Sequence, residues 1–430
     1  MHFPKRSQSI SNDENFELIN PRDSKIRQRV KKQSNAIIEA RCKYPQIMSW
    51  VTAIDACSNE IDCRPEVFAP EFRHMKQTVV SHDQSYTAEL SVPPLRITYH
   101  AGEDFLDVID GLRAIDEAIC FLDMRNGDRI GHALALGIDC EEWYRFKGNT
   151  VVLQKQSLLD NLVWLYGKMR KYNIQDTWVE DHVKKWFKKL FKTIYTDNID
   201  KKTYPNSLLF TVDIEDYLSS LSLRGNDPFI YLHNPDGSEF ERESFKKDLE
   251  KSFDEPWRVW KNTGENFDHV SNILYHCYHW NFKMKLESSS LVEYSIPQCI
   301  VRVIEKIQDK MRYDVARGGI GIECNPSSNY LIGTFRDYLK HPIFKFDDRF
   351  LYVPSDSNSH NSNPHIKASI NTDDLGIFDT SLENEYALMA SALEIGNDYC
   401  RVGEMILPQQ IYEWLDHIRQ NGCDQTFKKT

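Results

Sequence analysis

Five short apolar runs between residues 50 and 371 most constrain how this chain can fold. Between the second and third runs, apolar residues recur at helical spacing from Phe105 to Met124. Each run has the length and continuous apolar character of a buried parallel strand. Strand alternating with helix predicts an α/β fold of βαβ units. The runs are WVTAIDA (50–56), LRITYH (95–100), DRIGHAL (128–134), GIGIECN (319–325) and IKASIN (366–371).

The same pattern divides the chain into four segments. Residues 1–22 are polar and lack apolar periodicity, which predicts a flexible lead-in. The apolar runs lie in 23–138 and in 319–430, and the latter ends in helical patterns. Residues 139–318 interrupt the alternation with Trp- and Lys-rich sequence of helical periodicity. This interruption predicts a large, mainly helical insertion subdomain.

Charge and cysteine usage limit the classes of function. Against 64 acidic residues stand 53 basic ones, and the net charge of −11 argues against a broad basic surface that holds RNA. The ten cysteines form no CxxC pair and no dense framework, as in a reduced cytoplasmic protein. The N-terminus has no apolar leader, and no stretch approaches the roughly 20 apolar residues of a membrane span. We therefore expect a cytoplasmic protein without a membrane partner.

Ionisable residues stand at or just after the ends of the predicted strands. They are His100 with Glu103, then His132, then Asp373 with Asp374. In parallel α/β barrels the carboxyl ends of the strands form the active-site face, so these side chains should converge. Neutral imidazole and carboxylate are ligands of Zn²⁺, and further carboxylates and histidines can move protons beside it. The pattern predicts a metal site with acid–base groups.

Several motifs resemble those of a known family. YHAGED (99–104), RIGHAL (129–134), IECNPSSN (322–329) and NTDDLG (371–376) resemble, in order, the C-terminal signatures of the adenosine and AMP deaminases. AIDACSNE (53–60) is similar to the family's fourth-strand segment. The resemblance implies a (β/α)8 TIM-barrel fold, represented here by about strands four to eight. It also implies zinc-dependent hydrolytic deamination of adenosine or an adenine nucleotide to the inosine form.

The resemblance implies a role for each matching ionisable residue. His100 and Asp373 would be zinc ligands. Glu103 would donate a proton to the purine ring nitrogen while water attacks the amino-bearing carbon. His132 would act as a base or electrostatic stabiliser for that water, and Asp374 would orient it. This division agrees with the ability of zinc to lower the pKa of water toward about 7.

The resemblance further implies that Asp55, Ser58 and Gly102 contact the substrate. Ser58 stands where the family has a glycine whose backbone N–H meets the purine; serine keeps that N–H but narrows the approach. The expected partners are an adenine nucleoside or nucleotide and further copies of the chain. The size of the insertion is similar to that in deaminases of RADAR-type bacterial defence systems, which implies an antiviral role.

One departure from the family bears on completeness. The family's first strand ends in an HxH pair that supplies two zinc ligands, and this chain has no HxH. A partner chain, a missing N-terminal half, or a degenerate non-catalytic protein would each explain the difference. Within the chain, the candidates for the missing ligands are His74, His82, His360 and His365.

Two other functions remain open at this stage. One is an amidohydrolase-type metal hydrolase acting on an amide or ester, for which the sequence lacks a bridging lysine motif. The other is a non-catalytic scaffold built on half of a deaminase. Metal content and ammonia release would distinguish them from a deaminase.

Overall fold

A six-stranded, all-parallel sheet forms the centre of the computed structural model, which describes residues 1–78, 92–198, 211–230, 270–333, 335–351, 364–397 and 406–427. Two further strands, β5 (Thr150–Gln154) and β6 (Leu291–Ser295), form a separate antiparallel pair. The predicted α/β class is confirmed. In spatial order the strands of the large sheet are β1 (His2–Pro4), β2 (Ala53–Cys57), β3 (Arg96–Ala101), β4 (Arg129–His132), β7 (Gly321–Cys324) and β8 (Ala368–Ile370).

Each of the five predicted runs contains all or most of one strand of the large sheet, but the sheet has a sixth strand. β2 and β3 end one residue after their runs, at Cys57 and Ala101. β1 pairs in parallel with β2 and lies in the segment that we expected to be a flexible lead-in, so that expectation is wrong. Phe3 is buried and anchors the strand. Pro4 cannot donate a backbone hydrogen bond, which an edge position tolerates. The same segment also contains a short helix whose first turn is capped by the Asp13 side chain.

Helices connect the strands and cover the sheet. Those between β2 and β3 and between β3 and β4 pack on β3, and the last helix packs on β8. The helices are α1 (Glu14–Ile19), α2 (Ser24–Lys43), α3 (Pro45–Met48), α4 (Ala69–Gln77), α5 (Val108–Phe121), α6 (Cys140–Phe146), α7 (Lys155–Lys171), α8 (Thr177–Ile194), α9 (Ile214–Ser222), α10 (Val270–Trp280), α11 (Phe282–Ser288), α12 (Gln298–Gly318), α13 (Pro326–Ile332), α14 (Ile343–Phe346), α15 (Leu375–Phe378), α16 (Leu382–Asn397) and α17 (Pro408–Asp424).

The described part of 139–318 is mostly helical, as predicted, and carries α6 to α12. It also contains β5 and β6, which the sequence analysis did not predict. Its apolar residues belong to the same core cluster as those of the large sheet and its helices. None of the helices in the described part of the chain combines the length and apolar composition needed to cross a lipid bilayer.

The register gives the two faces of the large sheet different characters. On one face Ile54 pairs with Ile97 on the next strand, and both side chains are fully buried. On the other face the paired positions are polar: Asp55 pairs with Thr98, which pairs with Arg129. Side chains alternate along a strand, so Cys57 and His100 continue this polar face toward the carboxyl ends of β2 and β3.

Candidate metal-binding and acid–base site

Three of the predicted residues meet at the carboxyl ends of β3 and β4. Ligand atoms of His100, Glu103 and His132 all lie within 4.8 Å of one another. The rings of His100 and His132 meet edge to face, with centroids 5.0 Å apart. Gly131 makes room for this arrangement, because a Cβ atom there would lie 2.5 Å from Cδ2 of His100. The glycine of the RIGH segment therefore has a packing role under the imidazole.

The loop between β3 and α5 is held by a buried carboxylate. Glu60 Oε2 accepts a hydrogen bond of 2.8 Å from the N–H of Gly102, and Oε1 accepts a longer one, 3.4 Å, from the N–H of Glu103. Gly102 has a φ of +77°, which a side chain would strain. Burial raises the pKa of Glu60 to about 7, against the opposing effect of Lys5. Glu60 thus fixes the segment that carries Glu103.

His132 is buried and has a carboxylate on each side. Its Nδ1 lies 2.8 Å from Glu103 Oε1, and its Nε2 lies 3.9 Å from Asp373 Oδ2. Burial alone would lower the pKa of His132, but the hydrogen bond and charge of Glu103 outweigh burial and raise it. Nδ1 of His132 and Oε1 of Glu103 therefore lie at hydrogen-bonding distance, which places an imidazole and a carboxylate side by side.

The side chains of Asn329 and His341 lie behind His132, and their contacts determine which atom of the Asn329 amide faces the His132 imidazole. The side-chain oxygen of Asn329 accepts from the backbone N–H of Asn325 and lies 3.1 Å from Nε2 of His341. Nδ1 of His341 accepts from a backbone N–H, so its proton lies on Nε2 and points to Asn329. The Asn329 amide nitrogen then faces His132 Nδ1 at 2.8 Å.

Asp373 lies after β8 with its carboxylate turned toward the site. Its Oδ2 accepts a 2.8 Å hydrogen bond from Ser328 Oγ, and its φ of +57° is unusual for a residue with a side chain. The side chain of Asp374 is exposed and makes no hydrogen bond or ion pair with another described residue, while its backbone carbonyl accepts from the N–H groups of Ile377 and Phe378. The structure therefore brings Asp373 to the site, while Asp374 lies at its rim.

His100 has the protonation state that a metal requires. Burial lowers its pKa to about 4, against the effect of the Asp55 carboxylate, whose Oδ2 lies 3.7 Å from His100 Nε2. The imidazole is neutral at neutral pH and can donate a lone pair. With Glu103 and His132, it forms a group of nitrogen and oxygen donors that could hold a metal ion.

The three residues expected to contact the substrate, Asp55, Ser58 and Gly102, have different surroundings from one another. Asp55 is buried and faces His2 as well as His100. Ser58 is exposed with a φ of +80°, and the N–H of Gly102 donates its hydrogen bond to Glu60.

A cavity of about 140 Å³ opens beside Glu103. Its lining includes the aromatic rings of Phe105, Trp143 and Phe335, with Lys147 at one side.

A larger cavity, of about 680 Å³, lies at the opposite ends of the strands. Arg96, Arg129 and Lys367 line it. The smaller cavity is the one that lies beside Glu103, at the carboxyl ends of the strands.

Two of the four candidates for further ligands, His74 and His365, lie away from this site. His74 lies 3.9 Å from Glu71 on its own helix, and His365 lies beside Asp347. His82 and His360 are outside the described residues. Sequence reasoning missed His2, which the sheet register places opposite Asp55.

Comparisons complete the description of the site. Neither a search of protein-family models nor a search of curated proteins found a match to the chain. The described residues form an α/β protein with a parallel six-stranded sheet and include two side-chain groups that could hold a metal ion. His100, Glu103 and His132 lie at the carboxyl ends of β3 and β4, whereas the second group lies along β1 and β2.

Proposed function

We propose that this chain carries the catalytic residues of a zinc-dependent, adenosine-deaminase-like enzyme that converts an adenine nucleoside or nucleotide to its inosine form. The observation that carries the proposal is the contact between Glu103 and His132 beside His100 and Asp373. It combines a protonatable carboxyl, a buried imidazole and two metal-ligand types at the active-site end of a parallel sheet.

The same proposal extends to the fold. Six strands lie next to one another in the sheet, in the order β1, β2, β3, β4, β7 and β8. Two additional strands between β8 and β1 would close an eight-stranded barrel. Those strands are also the place where the family carries its HxH pair, so one added segment would supply both the closure and the missing ligands.

The chemistry divides among the chain's own residues. His100 and Asp373 would hold the metal, and a bound zinc ion would supply a Lewis acid that lowers the pKa of water toward about 7. Glu103 carries a proton at Oε1 and gives it to the purine ring nitrogen as water adds to the amino-bearing carbon. His132 would take one proton from the water and pass it to the amino group, which would leave as ammonia. The second water proton, lost as the ring carbonyl forms, would restore the acid form of Glu103. Asn329 orients His132 during these transfers.

A half-enzyme or scaffold is the second candidate, because the residues assigned here provide two zinc ligands whereas catalytic zinc sites have three. In that case the chain acts only with a partner polypeptide that bears the HxH strand. Such a partner would raise zinc content and activity together.

The first experiment measures zinc per chain by elemental analysis and inosine formation from adenosine, ATP and dATP in the same sample. We expect turnover that falls by about 10²- to 10⁴-fold in Glu103→Gln, because the proton donor is lost. Glu141→Gln, which changes an exposed carboxylate outside the cavity, is the control and should retain activity. Zinc-loaded, folded protein with no inosine formation from any of the three compounds would contradict deamination by the chain alone.

A further inference from the structure

A second group of side chains that could bind a metal lies on β1 and β2, next to His100 of the first group. His2, Asp55 and Cys57 have ligand atoms within 4.8 Å of one another. His2 Nδ1 is 2.8 Å from Asp55 Oδ2 and 3.7 Å from Cys57 Sγ. Parallel pairing explains the meeting: His2 lies opposite Asp55, and Cys57 follows two positions later on the same face.

These separations approach those around a tetrahedral ion. Zinc bonds of about 2.0–2.3 Å place neighbouring ligand atoms roughly 3.3–3.6 Å apart. The distance from His2 Nδ1 to Cys57 Sγ already matches, and the distance from His2 Nδ1 to Asp55 Oδ2 needs to lengthen by about half an ångström. The exposed His2 side chain can make that adjustment, since 72% of it is accessible to solvent.

Asp55, the buried residue of the three, has a carboxylate oxygen that accepts no hydrogen bond from the described residues. Asp55 is only 3% exposed, and its Oδ1 has no hydrogen-bond partner among the described residues. A buried carboxylate oxygen without a partner is costly, and coordination of a cation would compensate it. Because thiolate and imidazole ligands favour zinc over magnesium or calcium, the donor set also identifies the kind of ion.

We infer that His2, Asp55 and Cys57 form a zinc site of their own, distinct from the centre of His100 and Asp373. The solvent-facing side of His2 leaves the fourth position open to water or another ligand and provides an entry path. Asp55 also approaches His100, with Oδ2 3.7 Å from Nε2, so its carboxylate lies between the two groups. The inference does not depend on deaminase activity.

Cobalt substitution tests the site directly. The full-length chain, stripped with a chelator and reduced, is titrated with Co²⁺ while the near-ultraviolet thiolate-to-cobalt charge-transfer band is recorded. We expect the band in the wild type, and its loss in Cys57→Ser together with at least a tenfold weaker affinity in His2→Gln. Cys42→Ser, which changes an exposed cysteine on α2, is the matched control and should keep the band.

Two further measurements make the result independent of the proposed enzyme and of folding. Asp373→Asn should keep the charge-transfer band, since it changes only the other centre. In the zinc-loaded wild type, X-ray absorption spectroscopy should find a sulfur ligand at about 2.3 Å, whatever the stability of the variants. A band that persists in Cys57→Ser, a band lost in Asp373→Asn, or zinc bound by nitrogen and oxygen alone would each overturn the assignment.

Discussion

At the scale of single residues, the carboxyl ends of the strands store backbone strain. Ser58, His132, Ala133 and Asp373 all have side chains and positive φ values between 50° and 80°. Such conformations cost of order 1–3 kcal/mol each and tend to cluster at functional sites. Here they turn the chain sharply where the strand ends, which directs His132 and Asp373 toward the same space.

Gly131 offers a direct test of the packing beneath His100. In Gly131→Ala the new Cβ would lie 2.5 Å from Cδ2 of His100, so the imidazole must move. We expect a loss of about 1–3 kcal/mol in the free energy of unfolding, measured by urea denaturation. In Gly376→Ala the new Cβ meets nothing within 4 Å, and stability should change by less than about 0.5 kcal/mol. Equal effects of the two substitutions would contradict this packing role.

At the scale of elements, the loop after β3 depends on Glu60 of the preceding loop. Burial raises the pKa of Glu60 to about 7 in the folded protein, above the value of the unfolded chain. The folded state therefore keeps a proton that the unfolded state has released. Stability should consequently fall as pH rises from about 4.5 to 7 and then remain constant.

Glu60→Gln should remove this dependence. We expect the pH profile of unfolding free energy between 4.5 and 7 to flatten by up to about 3 kcal/mol relative to wild type. Since the amide oxygen of Gln can still accept from Gly102, the loop should retain its position. Glu14→Gln, at an exposed position of α1, is the control and should leave the slope unchanged. An unchanged slope in Glu60→Gln would show that this carboxyl does not carry the effect.

The elements that could be predicted from the sequence are those with a long or repeated signal. The five apolar runs contain all or most of β2, β3, β4, β7 and β8, and the helical spacing after Phe105 corresponds to α5. β1 was missed because three residues give no periodicity and Pro4 disfavours a strand. β5 and β6 were missed because Thr150 and Ser295 pair across a large separation within a region whose composition is helical.

The sequence predicted part of the candidate site, as it predicted part of the fold. His100, Glu103, His132 and Asp373 follow strand ends, and parallel topology brings strand ends together. The pairing of His2 with Asp55 depends on β1 and its register, so no local pattern could reveal it. Asn329 lies in a recognised segment, but its orientation depends on its tertiary contacts with His341 and His132.

At the scale of the whole molecule, a buried ionic network joins the insertion to the sheet and its helices. Asp160 on α7 accepts hydrogen bonds from both terminal nitrogens of Arg224, which follows α9. Arg113 on α5 approaches the same carboxylate at 3.2 Å, and the Tyr217 hydroxyl donates to it at 2.9 Å. Burial would raise the pKa of Asp160, but the two arginines outweigh burial and lower it.

Asp160→Asn should therefore destabilise the entire chain and not the insertion alone. Removing the charge leaves Arg113 and Arg224 buried without their shared counter-ion, which costs about 3–5 kcal/mol. The wild-type contribution is present above the unfolded pKa of aspartate and is lost as pH falls, so the difference between wild type and Asp160→Asn should shrink in acid. Urea denaturation followed by tryptophan fluorescence and by far-ultraviolet circular dichroism would measure both effects.

The exposed pair of Glu141 and Arg145 provides the matched comparison. Glu141→Gln removes a carboxylate from an ion pair on a helix surface, where water screens the charges, and should cost less than about 1 kcal/mol. Because one hydrophobic core spans the insertion and the sheet, the two probes should report a single coincident transition in Asp160→Asn. Separate transitions would mean that the insertion unfolds independently and that the network does not couple it to the site-bearing sheet.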